Sequence, residues 1–281
     1  MNHQLSLGAV LMKKALLKKN KIGIGITKPT EEIISGLYKA AEFCEPVVYG
    51  SNIKGFESIV SEKTENALFN DLEAGMIQAA IRGQLSAEPF RESFIRNYDK
   101  HFNPIDEMIT VMEFPNNRPM LISPVSNFTD GEILEREKLI EASVRLCKSI
   151  SLPVKIGLLS RCRIEDMVDA VGTPVGKFYN DTESLVSKYR DSYDIKNYEV
   201  DFEKACKDGV TILIEPCGTT GNQVVRTLYF LDVIRFYGAP YMNSSHVVLE
   251  TFKNGKDYPD VMLLAAALAN SNLNDIKDTK L

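Results

Sequence analysis

The feature that most constrains this chain is the stretch Ile212-Leu213-Ile214-Glu215-Pro216-Cys217-Gly218-Thr219-Thr220-Gly221-Asn222-Gln223-Val224-Val225-Arg226. Its apolar run fits a buried strand. Gly218 and Gly221 permit a tight turn and the close approach of a ligand to the backbone. Thr219, Thr220 and Asn222 are able to cap the helix that follows, and the free N–H groups at such a helix start attract anions. An ordinary strand–turn–helix connection with no ligand accounts for the same residues, because a few glycines at such a turn are a weak signal. No Gly-Lys-Ser/Thr follows, so the turn is not a Walker A loop, and the spacing is not that of the dinucleotide Gly-x-Gly-x-x-Gly.

The same alternation runs along the chain. Residues 21–27, 46–49, 76–81 and 153–160 read as strands, and 106–114 with 118–123 as a hairpin around Pro-Asn-Asn. Residues 5–19, 66–73 and 86–97 read as helices, as does a segment opened by Pro29 and Thr30. Thr129-Asp130-Gly131-Glu132 has the capping-box pattern for a helix running to about residue 150. Residues 172–180 look irregular, 181–192 helical, 198–200 a short strand, 224–236 helical with Gly238-Ala239-Pro240 as the stop, and 258–270 the last helix. The polar tail after Asn272 reads as frayed. Strands alternating with helices predict an α/β fold with a largely parallel sheet.

Bulk properties exclude several classes. With 281 residues the chain can bury a sizeable core, as two α/β subdomains or one large domain. A net charge of −5 argues against a general nucleic-acid binder. No apolar run reaches the ~20 residues a membrane span needs, and the N-terminus lacks secretory order, so a cytoplasmic location is expected. The five cysteines, at 44, 147, 162, 206 and 217, have no CxxC spacing, which predicts neither a disulfide framework nor a zinc site. His3, His101 and His246 read as surface or capping residues.

In open α/β sheets, ligands bind beyond the carboxyl ends of strands. Four segments fall there: Arg82-Gly83; the run 123–130 with Ser126, Asn127 and Asp130; Ser160, Arg161 and Arg163; and Gly218, Thr219, Thr220, Gly221 and Asn222. Together they supply arginines, hydroxyls, amides and a helix N-terminus, which suit a small anionic ligand bearing phosphate or carboxylate.

The block from Gly209 to Asn222, with Arg226-Thr-Leu-Tyr-Phe-Leu231 and Gly238-Ala-Pro240, resembles the Pro-x-x-x-Gly-Asn, helix, Gly-x-Pro block of the phosphate acetyl/butyryltransferase superfamily. Residues 152–160 are similar to that superfamily's strand ending in Leu-Ser, and residues 74–87 to its Gly-x-x-Asp-x-x-x-x-Gly segment, with Gln78 in place of the acid. The strings Ala-Ile-Arg-Gly-x-Leu-Ser-Ala, Leu-Leu-Ser-Arg-x-Arg and Gly-Asn-x-x-x-Arg-Thr-Leu-x-Phe-Leu carry a finer resemblance, to the MtxX group of methanogenic archaea. The resemblance implies a two-domain α-β-α architecture of the isocitrate dehydrogenase-like type with a cleft between domains, and commonly a homodimer. It places domain one at residues 1–103 plus 244–281 and domain two at 104–243.

The resemblance also implies a function: a transferase or transferase subunit of methanogen one-carbon metabolism, with methyltransferase subunits as possible partners and no cofactor assigned. A phosphate acyltransferase-like enzyme and a non-catalytic assembly or regulatory protein are the alternatives. Acyltransferases of the superfamily carry Ser-Arg-Gly shortly before the last helix. Here Lys253 and Asn254 stand at Ser and Arg, while Gly255 and Asp260 are kept. Lys253 can hold an oxyanion as a point charge but without the bidentate geometry of arginine, which argues against phosphotransacetylase activity. Lys253 and Asp260 complete the expected ligand-binding set.

Overall fold

The computed structural model describes residues 6–98, 107–126 and 130–271. His3, His101, Asn127, Thr129 and the tail after Asn272 lie outside the described residues. The chain divides into two compact units, residues 6–98 with 236–271 and residues 107–235.

The first unit opens with α1 (Leu7–Ala15), which Ser6 caps by accepting the Ala9 N–H. Then follow β1 (Lys21–Gly25), α2 (Glu31–Ala40), β2 (Glu45–Tyr49), β3 (Glu57–Ile59), α3 (Thr64–Glu73), β4 (Ala79–Ile81) and α4 (Ala87–Tyr98). Thr30 caps α2 through the Ile33 N–H, and Gly75 ends the α3 turn at φ +71°. From the far end of the chain come β10 (Arg235–Pro240), β11 (Val247–Glu250) and α10 (Pro259–Ala269). The sheet order is β3-β2-β1-β4-β11-β10, parallel except where β10 runs antiparallel to β11. α10 is apolar on every side and buried from Val261 to Leu268. The Asn270 side-chain amide then donates to the carbonyls of Lys14, Ala15 and Lys18, closing the end of α1.

The carboxyl ends of β4 and β11 meet through Arg82. Its guanidinium pairs with Glu250 and donates to the carbonyls of Leu85 and Thr251, and it is almost fully buried. Tyr241 donates to the other Glu250 oxygen at 2.8 Å. Burial and the neighbouring Glu250 carboxylate push the Tyr241 hydroxyl well above its ordinary pKa.

The second unit carries β5 (Thr110–Phe114) and β6 (Arg118–Ser123) as an antiparallel hairpin. Asn116 and Asn117 both take left-handed φ, as its tight turn requires. Then come α5 (Ile133–Ser149), β7 (Lys155–Leu158), α6 (Met167–Ala170), α7 (Pro174–Tyr189), β8 (Asp194–Asn197), α8 (Phe202–Lys207), β9 (Ile212–Ile214) and α9 (Gly218–Phe230). The order is β5-β6-β9-β7-β8, with β6, β9, β7 and β8 parallel, so their carboxyl ends share one edge. No helix among the described residues is long and apolar enough to cross a membrane.

Several expected bounds move. α5 starts at Ile133, and the Glu135 carboxylate accepts from the N–H groups of Gly131 and Glu132, which shifts the capping pattern three residues along. Residues 174–180 are helical, because Thr173 caps α7 and Pro174 fits its first turn. The strand expected at 198–200 is instead β8, an edge strand in which only Ile195 is buried. Residues 235–240, expected as helix end and stop, form β10: α9 ends at Phe230, Asp232 takes φ +57°, and Ala239 and Pro240 pair with Glu250 and Leu249.

Removing Arg82 takes from buried Glu250 its closest cation and leaves it Arg91 at 4.0 Å and the Tyr241 hydroxyl. Arg82→Ala is expected to cost about 3–5 kcal/mol of stability, read by urea unfolding, and the double variant with Glu250→Gln recovers part of that loss.

Candidate functional site at the strand ends of the second unit

Three of the four expected clusters lie on the shared edge of β6, β9 and β7. They are held by backbone packed on backbone. A methyl group placed on Gly218 would stand 1.4 Å from the Ser126 carbonyl oxygen, and one on Gly221 would stand 2.0 Å from that of Pro124. Gly131, at φ +80°, meets the Pro216 carbonyl at 1.9 Å in the same sense. The two glycines expected to admit a ligand therefore admit the chain itself. Ser126 is buried in this contact.

The helix start differs from expectation too. Cys217 stands at the N-cap and makes no side-chain capping bond. Thr219 is exposed in the first turn. Thr220 donates back to the Cys217 carbonyl at 2.8 Å, and Asn222 donates to the Val125 carbonyl at 3.0 Å. Neither caps the helix, because both lie inside it. The first N–H groups of α9 are left without partners from helix geometry or from the cap side chain.

After β7, Ser160 is buried. Its N–H donates to the Glu199 carbonyl and its hydroxyl to Asn197 at 3.0 Å, tying the ends of β7 and β8. Arg163 pairs with Asp201 at 3.0 Å. Arg161 donates to the Asp130 carbonyl at 2.7 Å and stacks on the Phe178 ring at 4.4 Å. No carboxylate pairs with Arg161 among the described residues. Because Asp130 precedes Gly131, one peptide links the partner of Arg161 to the residue packed on Pro216. Arg82, Lys253 and Asp260 belong to the first unit. Arg82 is committed to Glu250, Lys253 donates to the Ser86 hydroxyl at 3.2 Å, and Asp260 lies in the first turn of α10.

Two residues escaped the sequence reading. Arg136 is fully buried on α5, bonded to Thr182 at 3.0 Å and to the Leu159 carbonyl, and stacked on Phe178 at 4.4 Å. Burial lowers its pKa to about 10, with Arg161 adding to the fall and Asp181 opposing it. Its place among Ile133, Leu139 and Ile140 was a signal: a cation on the apolar face of a helix. Glu215 follows the apolar strand directly and is 2% exposed, and its Oε1 has no hydrogen-bond partner. Desolvation raises its pKa to about 7, against a lowering by the Thr220 hydroxyl. A carboxyl that titrates near neutrality at a strand end suits proton handling. Among the described residues no cluster of His, Cys, Asp and Glu suits a metal ion.

Two consequences are measurable. A carboxyl whose folded pKa lies above its unfolded value stabilises below the unfolded value, near 4.5, and that stability is lost as pH rises to about 7. Glu215→Gln is therefore expected to gain about 3 kcal/mol over the native chain at about pH 8 and little near pH 4, measured by denaturant unfolding at each pH. Gly218→Ala is expected to cost about 3 kcal/mol or more at all pH values, because its obstacle is backbone.

No family model matches the chain. It is 23% identical to the "Putative methyltransferase mtx subunit X" of Methanosarcina mazei over 269 residues, 92% of this chain and 94% of that protein. It is 26% identical to an uncharacterized methyltransferase of Methanocaldococcus jannaschii over 242 residues, 83% of this chain and 90% of that protein. Its structure is similar to that of a branched-chain phosphotransacylase from Enterococcus faecalis, with a TM-score of 0.63, 13% identity, and coverage of 89% and 99% of the two chains. In sequence the chain is thus similar to the methanogen mtx subunit X proteins, and in fold it is an α/β protein of the phosphate acetyl/butyryltransferase type.

Proposed function

We propose that the chain is a transferase subunit of methanogen one-carbon metabolism whose second unit binds a phosphate- or carboxylate-bearing ligand at its strand-end edge. The likeness to methanogen proteins named as methyltransferase subunits supports the metabolic setting. The ligand class rests on one observation: Arg161, a guanidinium without a carboxylate partner among the described residues, is fixed through Asp130 and Gly131 to the turn that opens α9. A helix N-terminus and an arginine together favour an anion. Arg163 is the outer, exchangeable cation, since it must release Asp201 to take part.

A phosphate acyltransferase-like enzyme is the second reading, supported by the fold. It requires Lys253, at the serine position, to do the work of the arginine whose place Asn254 takes, and that lysine is a single point charge held by Ser86. It predicts turnover of an acyl phosphate with CoA that is lost on Lys253→Ala, and a coupled assay at background level removes it.

The main reading is tested by calorimetric titration with sulfate, phosphate and CoA esters. At least one is expected to bind, and Arg161→Ala is expected to weaken that binding about tenfold or more, the value of one charge-assisted hydrogen bond. Binding of none of these, or equal binding by Arg161→Ala, sinks it.

A further inference from the structure

We infer that an anion at the β9–α9 turn is bound together with a proton, and that the proton is carried by Glu215. The inference rests on the anion reading above and goes beyond it by making the site proton-coupled.

The geometry comes first. Glu215 is the last residue before the turn, and its N–H donates to the Ser123 carbonyl at 2.8 Å, which anchors it at the strand edge. Its Cγ lies 3.3 Å from where a methyl group on Gly221 would stand, so the side chain runs beneath the first turn of α9. That helix is 13 residues long, and its N-cap side chain contributes no bond. The carboxyl is buried, and Oε1 is bonded to nothing among the described residues. A buried acid with an unmet oxygen is held under the same N–H groups that would receive the ligand.

The charge state of that acid sets what the turn can bind. A helix start carries roughly half a positive charge. Neutral Glu215 leaves it to an outside anion. Ionised Glu215 cancels it from beneath and repels the anion through a poorly screened medium. Anion and proton therefore favour each other, and by linkage the effect is reciprocal. The titratable and charged groups on the surrounding elements are Cys217 at the N-cap and Arg226 further along α9; Arg161, Cys162 and Arg163 after β7; and, on α5, Glu135, Glu137, Lys138, Glu141, Arg145 and Lys148 besides the buried Arg136 and Cys147; the segment 123–126 after β6 holds none. None of them moves the Glu215 titration, which burial and the Thr220 hydroxyl set, so the switch falls near neutrality.

Sulfate is the probe, because it does not itself titrate in this range. Calorimetry at about pH 6 and about pH 8, each in two buffers of different ionisation heat, reads both affinity and proton uptake. The sulfate counted is the one whose binding Arg161→Ala weakens. The native chain is expected to bind it about tenfold more weakly at the higher pH and to take up a fraction of a proton with it. Glu215→Gln is expected to bind it equally at both pH values with no proton uptake. Glu215→Met serves as the neutral variant if the glutamine form does not fold, and the native proton count decides the question without either. Sulfate binding with no proton uptake, or an unchanged pH dependence in the neutral variant, overturns the inference and leaves the anion site standing. No sulfate binding at either pH overturns this inference, and the anion reading falls with it only when phosphate and CoA esters fail to bind as well.

Discussion

Three close contacts between backbones hold the second unit's functional edge together. Gly131, Gly218 and Gly221 each receive a carbonyl where any other residue would carry a side chain. Through them the segment after β6 and the segment before α5 lock onto the β9–α9 turn. Everything else at the edge follows from that lock. Asp130 is placed to accept from Arg161, Asn222 reaches Val125, and Glu215 is sealed beneath α9. Glycine's usual cost in conformational entropy is here set against a contact that only glycine allows.

The two units finish their strand ends in different ways. In the first, Arg82, Glu250, Tyr241 and Thr251 satisfy one another, and the charges neutralise locally. In the second, Arg161 has a carbonyl rather than a carboxylate, Arg136 is buried against a ring, and Glu215 has an oxygen to spare. A closed network contributes rigidity. An edge with an unneutralised cation and an acid near its midpoint can respond to what binds it.

Elements with strong periodicity or clear punctuation were legible in the sequence: β1, the β5–β6 hairpin, α5, α10 and the β9–α9 connection. Two of those missed were set by tertiary pairing. β8 reads Asp-Ile-Lys-Asn and is a strand because it completes an edge beside β7. β10 holds Gly238 and Pro240, residues that punctuate in isolation, yet β11 pairs with it. At the site, the order of chemistry along the chain was readable, but the use of each group was not. The arginines at 82, 161 and 163 look alike in sequence and differ only in which partner the fold brings: a buried glutamate, a carbonyl or a surface aspartate. The glycines were visible, but the carbonyls that fill their space come from far along the chain: Ser126 and Pro124 for Gly218 and Gly221, and Pro216 for Gly131.

The clamp of Asn270 on the end of α1 has a consequence for how the chain comes into being. α1 lacks its closing partner until α10 has been made, and β4 waits for β11 across the whole second unit. The second unit is one unbroken stretch and holds all its strands well before then. Vectorial synthesis thus inverts the numbering: residues 107–235 are able to settle while residues 6–98 still wait for 236–271.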